Sequence, residues 1–133
     1  MKRVFIDTNI LLDLLLERQP WVNQASVLFS MADRKELDLL CCSLSFSTAI
    51  YLMNRLKHTR KEIITKLAIV KSLCTVTTVD SSVIDRVLQS DFSDLEDYYS
   101  ALAANAEVIV TRNEKDYILS NIPVLSPTEF LNE

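Results

Sequence analysis

Val4-Phe5-Ile6-Asp7-Thr8-Asn9-Ile10-Leu11-Leu12-Asp13 is the stretch on which the fold turns. Val4 to Ile6 is a short run of β-branched and aromatic side chains, the composition of a strand. After Thr8 and Asn9 the leucines continue at helical length as far as Leu16, so the strand feeds directly into a helix. Asp7 stands at the junction, at the carboxyl end of the first strand. An acid there has two readings. It caps the helix that follows, or, oriented by Thr8 and Asn9, it works at the sheet edge where open α/β folds carry their sites.

The same alternation continues along the chain. Pro20 suits the first turn of a second helix running through Val22, Ala25, Leu28, Phe29 and Ala32. Leu37 to Cys42 reads as a buried strand, Ser43 opens a helix carrying Ile50, Met53 and Leu56, and a further helix spans Arg60 to Leu73. Cys74 to Val79 is strand-like, Ser81 to Gln89 a serine-capped helix, and Ser93 with Glu96 forms a capping box for another. Val108 to Val110 is a strand, a short one lies between Asn121 and Ser126, and Pro127 starts a last helical turn. Strands separated by helices require crossovers, which predicts one α/β domain over residues 1–133 with a mainly parallel central sheet flanked by helices. The chain contains no glycine, so turns fall to Asn, Asp and Ser, and the glycine loops of Rossmann and P-loop nucleotide sites are excluded.

Composition narrows the function classes. With 49% hydrophobic residues in 133, the chain can bury a core without disulfides or metal staples. Its richest apolar runs are too short to span a bilayer, and Asp7 and Asn9 interrupt what would be a signal peptide, so the expectation is a cytoplasmic protein with no membrane partner. Three cysteines suit a core rather than a disulfide framework, and the single His58 leaves no structural zinc site. A net charge of −4 disfavours a broad electrostatic grip on nucleic acid. Arg55, Lys57, His58, Arg60 and Lys61 nevertheless form a dense basic patch, which reads either as a solvated helix junction or as a local RNA or partner site.

The chemistry-bearing residues are acids. Asp94 lies in Asp91-Phe92-Ser93-Asp94-Leu95-Glu96-Asp97, where four acids crowd a helix start. The helix dipole favours one or two of them. Four together repel unless a cation or a raised pKa relieves them. Asp97 is one turn on from Asp94 and shares its face. Thr111, Asn113 and Asp116 follow the strand Val108 to Val110, which puts them in the loop at that strand's carboxyl end. Two strand ends and a helix start thus supply oxygen ligands to one edge, the hard donor set that suits Mg²⁺ or Mn²⁺.

Val4 to Asp13, Val108 to Tyr117 and Pro123-Val124-Leu125-Ser126-Pro127-Thr128-Glu129-Phe130-Leu131, in that order and spacing, resemble PIN domains. Phe92-Ser93-Asp94 followed by Tyr98-Tyr99-Ser100-Ala101 adds a fourth segment. The family includes the VapC toxins of bacterial toxin–antitoxin pairs, so the resemblance implies a Mg²⁺- or Mn²⁺-dependent endoribonuclease that acts on RNA, forms a homodimer and is held inactive by a cognate antitoxin. It gives the catalytic and metal-binding roles to Asp7, Asp94 and Asp116, with Asp97 as a further acid, Thr111 and Asn113 as orienting residues and Asn9 as support for Asp7. The chain departs from the pattern at one position. The family's second acid, a glutamate in the helix after the second strand, should fall near Ala49, yet residues 39–61 contain no acid. One branch of PIN-like proteins shares this absence.

Two other readings stand beside the nuclease. A PIN-like fold that has lost catalysis could serve as an RNA-binding or protein-interaction module. A phosphatase with Asp7 as nucleophile would need an Asp-x-Asp motif, and residue 9 is Asn. Tyr51, Tyr98 and Tyr99 are read as base-stacking or as packing residues, and the leucines of the first helix as a dimer or antitoxin surface or as a fully buried helix.

Overall fold

The computed structural model describes residues 1–90 and 95–133, with side-chain placement resuming at Asp97. Five strands, β1 (Lys2–Ile6), β2 (Leu37–Cys42), β3 (Thr75–Thr77), β4 (Val108–Val110) and β5 (Val124–Leu125), form one sheet in the order β3-β2-β1-β4-β5. Every neighbouring pair is parallel. The chain thus moves outward from β1 to one side and then to the other, which makes β1 the central strand and its carboxyl end the point where the winding reverses. The helices are α1 (Thr8–Leu15), α2 (Val22–Asp33), α3 (Ser43–Arg55), α4 (Arg60–Leu73), α5 (Ser81–Leu88), α6 (Leu95–Ala103) and α7 (Pro127–Leu131). The α/β architecture predicted from the order of elements is the one observed.

Strand alternation divides the core in two. Val4, Ile6, Leu39, Cys41, Val108 and Val110 face α1, α2, α3, α4 and α7 in one cluster. Phe5, Leu40, Cys42 and Ile109 face the other way, against Tyr98 and Ala101 of α6 and against Tyr117. Both faces are apolar because a parallel sheet is covered on both sides. The leucines of α1 follow from this: Leu11, Leu12 and Leu15 are buried, and Leu14 and Leu16 pack against the same cluster. A buried helix, rather than a docking surface, accounts for them.

Some local expectations are corrected. Pro20 lies in the turn before α2, whose first residue is Val22. Asp80, not Ser81, caps α5, its side chain accepting the Val83 N–H at 3.1 Å; that contact and the Ser82 hydroxyl, the larger effect, hold its pKa below the ordinary carboxylate range. The capping box at Ser93 and Glu96 lies outside the described side chains. Tyr98 is buried and its hydroxyl accepts the Asn121 N–H at 3.0 Å, whereas Tyr51 is exposed and interacts with Arg55 of its own helix.

The absence of glycine has a price in backbone conformation. Left-handed residues end four helices, at Glu17, Lys35, Lys57 and Asn105, so three of the four are not the Asn, Asp or Ser expected. At Lys57 the His58 N–H reaches back to Met53 O at 3.0 Å, the bond of a glycine-type helix end. A side chain in this region is disfavoured by about 1 kcal/mol. Lys57→Gly is therefore expected to raise the urea midpoint, by a stability gain of about 1 kcal/mol at most.

Candidate active site

Asp7 sits one residue beyond Ile6, which pairs with Cys41 on one side and Val110 on the other. Thr111 and Cys42 are therefore level with Asp7 on the two flanking strands. The Asp7 N–H continues the ladder to Val110 O at 3.0 Å, and the residue then caps α1. Its side chain is buried to 5% exposure. Thr8 N–H donates to Oδ1 at 2.8 Å and the Thr111 hydroxyl donates to Oδ2 at 2.8 Å. Among the described residues each carboxylate oxygen thus receives one hydrogen bond, from Thr8 or Thr111, and keeps lone-pair capacity for a ligand. The cap reading and the site reading describe the same geometry.

Thr111 is fully buried, and its hydroxyl also accepts the Asn113 N–H at 3.0 Å. Asp116 follows in a 3₁₀ turn, Glu114–Tyr117, with its N–H on Asn113 O at 3.0 Å. Asp7, Thr111, Asn113 and Asp116 are consequently connected through a continuous set of bonds. Asn9 lies half-buried in the first turn of α1 and is not one of the groups that hold the Asp7 carboxylate. Asp94 falls outside the described residues.

Asp97 is half-buried on α6, on the second face of the sheet. Burial, chiefly, and the nearby Asp97 carboxylate raise the Cys42 thiol pKa. Asp97 therefore approaches the end of β2, next to the level of Asp7.

The residues near which the family's second acid is expected lie on α3. Ala49 is fully buried in the core cluster beneath α3. Ser45, one turn earlier and also fully buried, shares a hydroxyl contact of 2.6 Å with Thr8, while Ser47 and Thr48 are exposed. Ser45 is thus the α3 hydroxyl nearest the Asp7–Thr8 junction.

Another pair was not foreseen. Asp13, at 1% exposure, accepts two bonds from Arg112, Nε to Oδ2 at 2.8 Å and Nη2 to Oδ1 at 3.0 Å. Arg18 approaches Oδ1 at 3.7 Å, and the Arg112 guanidinium lies 3.9 Å from the centre of the Trp21 ring. The available signal was an acid inside a leucine run, because a buried carboxylate requires a cation. Nothing in the spacing pointed to a partner 99 residues away.

The family model for the PIN domain matches residues 3–115, a span that contains β1, Asp7, Thr111 and Asn113 and ends one residue before Asp116. This chain belongs to the PIN-domain family. Solved PIN structures share its fold. VapBC2 from Rickettsia felis, bound to a DNA fragment from its promoter, aligns at a TM-score of 0.62 and 20% identity over 92% of this chain and 96% of that one. FitAcB from Neisseria gonorrhoeae aligns at 0.66 and 12% identity over 94% and 98%. VapC20 from Mycobacterium tuberculosis, a toxin that cleaves the sarcin-ricin loop, aligns at 0.60 and 13% over 80% and 86%. No curated protein sequence matches the chain significantly.

As a PIN domain, the chain falls in a family of nucleases that use divalent metals, and its structural neighbours come from toxin–antitoxin systems. The oxygen donors of Asp7, Asp116 and the Asn113 amide fit such a cation in kind. Among the described residues no three Asp, Glu, His or Cys side chains are close enough to hold one. Asp94, the further acid expected from the sequence, lies outside the described residues. No described helix is long and apolar enough to cross a membrane.

Proposed function

We propose that this PIN domain is a metal-dependent endoribonuclease and the toxin of a toxin–antitoxin pair, working in the cytoplasm as a homodimer that its antitoxin restrains. Asp7, Asp94 and Asp116 would hold Mg²⁺ or Mn²⁺, with Asp97 near the same edge and Asn9 at the first turn of α1. The observation that carries the reading is the presentation of Asp7: a buried carboxylate at the switch point of the sheet, its two oxygens fixed by Thr8 and Thr111. When bound, a divalent ion there supplies charge neutralisation for a phosphodiester and a water activated at neutral pH. The chain's own part is preorganisation. The Thr111 hydroxyl and the Thr8 N–H fix the orientation of the Asp7 carboxylate at the start of α1. The Asn113 N–H is held by the Thr111 hydroxyl and the Asp116 N–H by the Asn113 carbonyl, which limits the reorganisation required on binding RNA. The homodimer is supported by exposed Ile50, Tyr51, Leu56, Ile64 and Ile69 on α3, its C-terminal turn and α4, and light scattering at twice the chain mass checks it.

One observation favours a second reading, a degenerate RNA-binding or interaction module. No acid falls near Ala49, where the family's glutamate is expected, and Ala49 itself is packed in the core. Mn²⁺ binding followed by electron paramagnetic resonance separates the two. The nuclease reading expects binding by the wild type that weakens at least tenfold in Asp94→Asn. A wild-type protein that remains folded and binds no Mn²⁺ selects the module.

A further inference from the structure

We infer that the Asp13–Arg112 pair, stacked on Trp21, is a positioning device that sets the metal affinity of the carboxylate edge. This rests on the reading of Asp7 as a metal ligand. Arg112 is flanked by Thr111, which holds Asp7, and Asn113, whose N–H binds the Thr111 hydroxyl. Its side chain returns to α1, the helix that Asp7 caps. Asp7 and Asp13 are six residues apart, which places them about 9 Å apart along one rigid helix. The loop after β4 is therefore attached to that helix at two points, Thr111 at its start and Arg112 near its end. Together with the burial of Tyr117 at the far end of the turn, the two contacts fix the direction of the loop relative to α1, and with it Asn113 and the turn that carries Asp116.

The chemistry of the second attachment suits this role. The contact is bidentate and planar, with geometry that lysine cannot reproduce. The carboxylate is buried, so the surrounding protein screens the pair far less than water would. Trp21 covers the guanidinium face at 3.9 Å and limits its rotation. A stabilising ion pair could lie anywhere in the fold. This one joins two of the chain segments that carry the site, α1 with Asp7 at its start and the loop after β4.

The test is Mn²⁺ affinity, read by electron paramagnetic resonance at a temperature where circular dichroism shows every protein folded. Arg112→Lys and Asp13→Asn are compared with wild type, with Asp7→Asn, and with Leu28→Ala, a core variant that lowers stability without touching the site. Trp21→Ala, at an exposed ring, covers the case in which the buried variants do not fold. The expected result is about a tenfold loss of affinity for Arg112→Lys and Asp13→Asn, a smaller loss for Trp21→Ala, and wild-type affinity for Leu28→Ala. Folded Arg112→Lys and Trp21→Ala proteins with wild-type affinity, while Asp7→Asn has lost it, overturn the positioning role alone. Equal losses in Leu28→Ala overturn it too, since general loosening would then explain the effect. No binding by the wild type, or undiminished binding by Asp7→Asn, removes the metal reading itself and the inference with it.

Discussion

Ala49→Glu, which places an acid in the stretch where the family's second one is expected, is expected to unfold this protein more readily rather than to improve its site. Ala49 is fully buried within the core cluster that includes Ile10, Leu11 and Met53. A carboxylate there leaves water without a cation, and its burial would either raise its pKa or hold an uncompensated charge, a penalty of about 4 kcal/mol. The added side-chain volume contributes a further ~1–3 kcal/mol of overpacking. Urea denaturation in metal-free buffer measures the sum. An Ala49→Glu protein as stable as wild type, with tighter Mn²⁺ binding, would mean that this position opens onto the carboxylate edge, contrary to the packing described.

Asp7→Asn is expected to do the opposite: keep the fold and lose the chemistry. The amide oxygen can still accept the Thr8 N–H, and the Thr111 hydroxyl can turn to accept from the new NH₂ group while keeping the Asn113 N–H on its other lone pair. Stability should change by no more than about 1 kcal/mol. RNA cleavage should fall at least ~100-fold, which is about 2.7 kcal/mol of transition-state stabilisation, because the site loses a formal charge at the point where β1 meets α1. Single-turnover cleavage and thermal denaturation of the same preparation check both halves. Equal cleavage by the two proteins would remove Asp7 from the mechanism.

The elements legible in the sequence were those with a local physical signature. β1, β2 and β4 are dense in β-branched and apolar residues, and α7 starts at Ser126-Pro127 with Glu129 completing its capping box. The Asp7–Thr111 contact was legible only as a consequence of topology: acids and hydroxyls at the ends of parallel strands meet at one edge. What depends on pairing across the chain was hidden. Asp13 gave no sign of Arg112, since α1 and the loop after β4 are adjacent only once β1 and β4 pair. The left-handed helix ends at Glu17, Lys35 and Lys57 were hidden for a different reason, because their side chains do not prefer that conformation and the fold imposes it. The excess of leucines in α1 was ambiguous until the packing of α2, α3, α4 and α7 on the same face of the sheet accounted for it.

Metal-dependent RNA hydrolysis at Asp7, Asp94 and Asp116, the function proposed for this chain, has one direct test. The measurement is incubation of the purified protein with total cellular RNA in Mg²⁺, in Mn²⁺ and in EDTA, with Asp94→Asn alongside and the fold of both proteins verified by circular dichroism. Fragments that form with either metal, disappear in EDTA and are at least ~100-fold slower to form with Asp94→Asn are the predicted result. Intact RNA under every condition with the folded wild type, or cleavage that EDTA and Asp94→Asn leave unchanged, would contradict it.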